Sequence, residues 1–329
     1  MNKVKRIIKL IRNENLKNIS QSKTMIIFII VLVSILGTAL LNNSSDSSNK
    51  GWREEQAKEI KRLEKSIEEN NKKIQEINDD KKSQVYKITI DSYKKRISLL
   101  KYSLEKNIPI DVDTPWKFVY DVKPTVNILI LFILILSIHC ITKEYSYGTV
   151  KQIFIRPYKR WKIVLCKYCS IIYISFLSLV VHFIISIIVG YLFFSKNGNG
   201  VTEILMSDGL IIERNVVSYV IQNYLFIFIK TVVLSSLAIM LAILIKKSTI
   251  PMILTLLLWM GSGVITEFTK KYWISKFLLF PHLNLTQYIP GESVSINGNT
   301  MSMSITVLVL YFLTFNFISY FLITKQDIY

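Results

Sequence analysis

Apolar residues in this chain come in long unbroken runs rather than strict alternations, and the charged residues gather between the runs. Thr24 to Leu41 (TMIIFIIVLVSILGTALL) holds no charge, nor do Tyr168 to Ser195 and Ser293 to Thr324. A run of about 18 apolar residues is long enough to cross a bilayer as a helix. The pattern predicts spans at 24–41, 125–142, 163–195, 216–245, 248–266 and about 302–324. The expected fold class is therefore all-α, integral to the membrane, with six spans. A secretory signal is the competing reading of the first run, but the run exceeds the usual apolar length and lacks a small-residue exit site.

Six spans place both ends of the chain on one side. Lys143, Lys151, Arg156, Lys159, Arg160 and Lys162 lie between the second and third runs, Lys246 and Lys247 between the fourth and fifth, and Lys325 after the sixth. Short loops rich in Lys and Arg stay cytoplasmic, which assigns that side to both ends and expects a multi-pass plasma-membrane protein. The segment between spans 1 and 2, residues 42–124, carries eighteen basic and fifteen acidic residues. Long, nearly balanced segments translocate regardless of their charge, so this one is expected outside.

The insert has its own pattern. After the Ser/Asn-rich stretch Asn42 to Lys50, no Gly or Pro occurs from Trp52 to Ile108. Ile60, Leu63, Ile67, Asn70, Ile74 and Ile77 recur at spacings of three and four, as do Tyr86, Ile90, Tyr93, Ile97, Leu100 and Leu104. Such narrow seams belong to coiled coils. Two arms on the order of 40 Å each, turning near Asp79 to Ser83, form an antiparallel extracellular hairpin that contacts a partner or cargo or serves as a solvated spacer. Residues 196–215 are expected as an external loop. In residues 267–301, the apolar Ile274 to Phe280 followed by Pro281 and Pro290-Gly291 suggests re-entrant or interfacial helices on the outer side.

Composition adds that the chain is strongly basic, with 41 Lys and Arg against 23 Asp and Glu, a net charge of +18. The excess lies in membrane-flanking loops and does not point to nucleic acid. Cys140, Cys166 and Cys169 fall at the cytoplasmic ends of spans 2 and 3. The C-x-x-C they include has no second pair, so packing is the preferred reading over a metal site. No G-x-x-x-x-G-K-[ST] loop occurs, so a nucleotide would have to be held by another chain.

The segment 143–162 is basic, aromatic and apolar by turns. Val150, Ile153 and Phe154 share a helical face, and Pro157 disfavours helix at Arg156. Glu144, Gly148-Thr149, Pro157 with Arg160, and Lys167 leading into span 3 resemble, in order and position, the signature of type-2 ABC exporter permeases. The amphipathic Val4, Ile7, Ile8, Ile11 face is similar to that family's elbow helix, here within residues 1–23. Thr324-Lys325-Gln326-Asp327-Ile328, running into the tail 325–329, resembles its ending. The long insert is similar to a Gram-positive subset. The resemblance implies a type-2 exporter fold in which Glu144, Gly148, Thr149, Val150, Ile153, Phe154, Pro157 and Arg160 serve a coupling helix at 143–162. It also implies a homodimer or a pair with a related permease, two separate ATPase subunits that bind ATP and Mg, and no cofactor or catalysis in this chain.

Two ionisable residues in the spans are candidates for a cargo pathway. Lys230 sits in the fourth run, where a Lys at the bilayer centre costs roughly 2.5–3.5 kcal/mol, and it either snorkels outward or lines a cavity. His182 in span 3 either packs through hydrogen bonds or faces cargo. Gly261-Ser262-Gly263 in span 5 allows close helix contact or a bend. The leading expectation is export of an amphipathic cargo such as an antimicrobial peptide, conferring resistance to it, with a lipid, a small drug or sodium as alternative cargoes. A receptor with an external coiled coil is a second class, and an intramembrane enzyme is disfavoured by the lack of H-E-x-x-H or a Ser/His or paired-Asp constellation.

Overall fold

The computed structural model describes residues 3–19, 22–43, 51–76, 80–110, 113–148, 160–194, 200–207, 209–292, 294, 296 and 298–325. The chain is mostly helical. It begins with α1 (Lys3–Ile19) and α2 (Ser22–Asn43), followed by two long polar helices, α3 (Trp52–Glu76) and α4 (Asp80–Lys106). Then come α5 (Pro115–Asp121), α6 (Val126–Ser146), α7 (Arg160–Phe194), strands β1 (Thr202–Ser207) and β2 (Leu210–Asn215), and α8 (Val216–Ile245). The chain continues through α9 (Thr249–Met260), α10 (Ser262–Thr269), the short α11 (Leu279–His282) and α12 (Met301–Lys325).

Five helical stretches are long and apolar enough to cross a membrane, or six if the bent pair α9 and α10 counts as one span. The chain is thus membrane-embedded. Lipid tails are as apolar as leucine, so packing and hydrogen bonds hold such helices together more than hydrophobic exclusion does. The main core joins α6, α7, α8 and α12 through Ile133, Leu134, Ile171, Leu234 and Leu308. Tyr168 on α7 approaches Ser319 Oγ on α12 at 3.2 Å and donates to the Ser236 carbonyl on α8 at 3.3 Å. Ser and Thr hydroxyls inside the spans return to their own helix, as Ser137 does to the Ile133 carbonyl and Ser175 to Ile171. Those bonds keep polar side chains satisfied where water is scarce.

Span 2 differs from the expected 125–142. The apolar stretch extends through α5 and a 3-10 turn at Lys123–Thr125, so the continuous candidate is Pro115–Ser146. Pro115 suits a first helical position, and the Thr114 hydroxyl caps α5 by accepting from Lys117 N at 3.3 Å. Such a cap contributes about 1 kcal/mol. α5 lies against α7 where Gly190 leaves room; a Cβ there would stand 2.8 Å from the Pro115 carbonyl oxygen. A second core of Ile35, Phe118, Val122, Leu129 and Val189 ties α2 to this junction.

Span 5 is broken. α9 and α10 meet at 55° around Gly261, so of the two readings of the glycine pair the bend is the one observed. Residues 196–215, expected as a loop, contain an antiparallel two-stranded sheet in which Thr202 pairs with Asn215 and Ser207 with Leu210. Its reversal uses Gly209 at φ 81° after Asp208, which lies outside the described residues. Asp208-Gly209 between strands that carry alternate apolar residues is the local sequence signal for this hairpin. A small sheet is therefore added to the helical class.

In the insert, α3 and α4 run antiparallel. Lys73 lies over the Tyr86 ring at one end, and Gln56 accepts from Ser103 Oγ at 2.9 Å near the other. Ile60, Ile97 and Leu100 are buried between them, with Leu63, Ile67 and Leu104 packed around. Arg96 pairs with Glu59 at 3.0 Å and Lys101 with Glu64 at 3.2 Å along the flanks. Exposed pairs of this kind contribute about 0–1 kcal/mol each, so the apolar seam matters more.

Candidate functional site

α6 ends where its sequence turns polar. Tyr147 N–H bonds back to the Lys143 carbonyl, and Gly148 follows at φ 64°, the left-handed geometry that closes many helices and that a side chain resists. Glu144 therefore sits in the last turn of the helix. From the start of α7, Lys167 reaches it: Lys167 Nζ donates to Glu144 Oε1 at 2.6 Å, to the Cys140 carbonyl at 2.8 Å and to Glu14 Oε2 at 3.2 Å. The Lys167 side chain is 1% exposed. One buried ammonium thus joins α1, α6 and α7.

The same junction is reinforced by neutral contacts. Asn15 Oδ1 accepts from the Ser170 hydroxyl, Asn18 Nδ2 donates to Ser170 Oγ at 3.4 Å, and the Thr24 hydroxyl donates to the Asn18 carbonyl at 2.8 Å. Lys17 adds a contact to Glu144 at 3.8 Å. Two part-buried carboxylates converge on one buried Lys, and removing that cation leaves Glu144 with the more distant Lys17 in place of a 2.6 Å ion pair.

The sequence singled out Glu144 and Lys167 as the two ends of one signature, and the structure brings them together. It did not single out Glu14, the lone acidic residue before Asp46, and that isolation in a basic helix was the available signal. Arg160 opens α7. Thr149, Val150, Ile153, Phe154 and Pro157 lie outside the described residues. Cys140 is buried and its thiol donates to the Ser137 carbonyl at 3.0 Å.

His182 is 1% exposed and bridges three helices, with Nε2 2.8 Å from Thr125 Oγ1 and Nδ1 2.8 Å from the Tyr224 hydroxyl. Its geometry is that of a hydrogen-bonded packing residue. Lys230 lines a cavity of about 220 Å³ shared by α6, α8 and residues 283–286.

At the other end of the bundle a second polar cluster closes over the spans. Arg214 lies 3.6 Å from the centroid of the Tyr219 ring, donates to Glu203 Oε2 at 2.7 Å and to the Pro290 carbonyl at 3.3 Å, and pairs with Glu292 at 3.6 Å. The Tyr219 hydroxyl donates to Glu292 at 2.6 Å. Tyr102 of α4 donates to Glu213 Oε1 at 2.9 Å, which raises the Tyr102 pKa above its ordinary value. A cavity of about 630 Å³ opens between the base of α3 and α4, α5 and β1, lined by Trp52, Arg96, Tyr120 and Glu203 among others.

A family profile described as "Protein of unknown function (DUF2705)" matches residues 89–329. The chain belongs to the DUF2705 family. The DUF2705 match takes in Glu144 and Lys167 but starts beyond Glu14. Over 328 residues, 98% of this chain and 99% of the relative, it is 29% identical to the uncharacterized protein YhcI of Bacillus subtilis (strain 168). Over 229 residues, 68% of this chain and 88% of the relative, it is 25% identical to the uncharacterized membrane protein YdbK of the same organism. The full-length similarity to YhcI includes α1 and the α3–α4 insert, so this DUF2705 chain shares more than its spans with that relative.

Proposed function

We propose that this chain is the permease subunit of an ABC exporter, using ATP hydrolysis by a separate subunit to export an amphipathic cargo such as a membrane-active peptide. The observation that carries this reading is the Lys167 junction. The segment 143–162 connects α6 to α7 in the chain, and Lys167 ties both of those helices to α1. A displacement of that segment by an ATPase would reach three helices together instead of being absorbed by one. The resemblance of Glu144, Gly148-Thr149, Pro157, Arg160 and Lys167 to the exporter signature supports the same role. ATP and Mg would be held by the partner, and the chain would pair with a second permease copy or a related one.

On this reading α1 and the 143–162 segment face the cytoplasm, and the α3–α4 pair stands outside as a coiled-coil hairpin available to cargo. The test is co-expression of the tagged chain with an ABC ATPase encoded next to it. Co-elution of the two, with hydrolysis reduced by Phe154→Asp, supports the proposal; a chain that elutes without the ATPase under conditions that preserve its fold rejects it.

A further inference from the structure

The cavity holding Lys230 is built differently from the rest of the membrane interior. On α8, Asn223 and Lys230 both line it, seven residues apart and so about 10 Å along the helix axis. Lys123 and Asn127 line it from the α6 side, and residues 283–286 close the third wall. Lys123 Nζ donates to Asn223 Oδ1 at 3.2 Å and lies over the rings of Tyr120 and Tyr219, which fixes the ammonium at the cavity edge. None of the described lining residues is acidic. The carboxylate that acts on Lys123 is Glu292, already engaged by Tyr219 and Arg214. Among the described residues Lys230 has no ion-pair partner.

Two ammonium groups and the amides of Asn127 and Asn284 border a cavity of about 220 Å³ in which Asn223 is already held by Lys123 and by the Tyr219 carbonyl, and Ile130 and Phe226 supply apolar wall; the result is a positively charged recess that opens at the edge of the bundle. A cation in a span faces a partner, a water-filled cavity or the membrane surface, and Lys230, partly exposed, faces this recess. A group with one negative charge and several acceptor oxygens satisfies the ammonium and amide donors together. The volume leaves room for such a group and a few waters.

We propose that this recess binds an anionic phosphate group, presented by a membrane lipid headgroup or as free phosphate. The site stands whether or not the chain works with an ATPase. The test uses the full chain in nanodiscs. In discs of mixed phosphatidylglycerol and phosphatidylcholine, native mass spectrometry reads which lipid is retained; in discs of phosphatidylcholine alone, inorganic phosphate is titrated and the melting temperature followed. Preferential retention of phosphatidylglycerol identifies the lipid source, and stabilisation by phosphate identifies the free anion. In either arm, Lys230→Met lowers the affinity about tenfold or more, the scale of a lost charged hydrogen bond. Lys230→Arg keeps most of it, and Lys123→Gln weakens it separately. Wild-type binding in both Lys230→Met and Lys123→Gln overturns the proposal, as does a wild-type protein that shows neither lipid preference nor phosphate stabilisation.

Discussion

Lys167 Nζ donates to Glu144 Oε1 across 2.6 Å, joining two helices whose residues stand 23 apart in the chain, while the same ammonium reaches Glu14 from a third. Lys167→Met removes the buried cation from both carboxylates and leaves Glu144 only the longer contact to Lys17. The expected loss is about 3–5 kcal/mol, as for breaking a buried pair from one side. Thermal unfolding in detergent checks it, and adding Glu144→Gln recovers part of the loss because one of the two carboxylate charges goes with it. An unchanged melting temperature in the single variant would show that the junction bears no structural load.

Gly190 allows α5 to lie on α7, with the Pro115 carbonyl 2.8 Å from where a Cβ would stand and Phe118 Cδ1 at 3.3 Å. The nearer neighbour is backbone and cannot swing aside. Gly190→Ala therefore displaces α5, at a cost of about 1–3 kcal/mol, the range for overpacking. Hydrogen exchange would report it as faster exchange of residues 115–121; parental protection there refutes the close approach.

His282 is buried, with Nε2 3.0 Å from the Lys276 carbonyl and Nδ1 2.7 Å from Ser304 Oγ. A carbonyl only accepts, so Nε2 carries the proton, Nδ1 accepts from Ser304, and Ser304 accepts from the Tyr288 hydroxyl at 2.6 Å. Burial holds the imidazole pKa below its ordinary 6.5. Below 6.5 the unfolded chain then binds more protons than the folded one, so stability falls as pH drops through 6.5 toward the folded value. Melting curves from pH 7.5 to pH 5 should show a slope that His282→Gln flattens; equal slopes would remove His282 as the cause.

Tyr102 and Glu213 join the α3–α4 pair to β2, and the residue after Glu213 and Arg214, Asn215, caps α8 by accepting from Ser218 N at 3.1 Å. Tyr102→Phe should loosen the pair from the sheet while leaving global melting almost unchanged, since the hydroxyl is exposed. Electron–electron distance distributions between labels at Lys94 and Leu210 should broaden. An unaltered distribution would mean that other contacts hold the pair in place.

The helices that cross the membrane were legible from residue types alone, because a backbone in lipid must satisfy its own hydrogen bonds and an uncharged run of that length leaves few other solutions. The seam positions Ile60, Ile97 and Leu100 were legible for a related reason: helical spacing is a local property, and it places those residues on one face before any partner is known. Glu144, Gly148 and Lys167 stood out only through their resemblance to the exporter signature, and the contact between Glu144 and Lys167 came with the packing of α6 on α7. What the chain could not declare residue by residue were contacts between distant segments. Glu14 became part of the junction only when α1 lay against α7, and Lys123 and Lys230 came to share a cavity only when α6, α8 and residues 283–286 closed around it. The bend at Gly261 and the extension of span 2 through Pro115 likewise depended on how neighbouring helices packed, since glycine permits either geometry and Pro115 opens a helix that its seat on Gly190 and the burial of Phe118 and Val122 hold against the bundle.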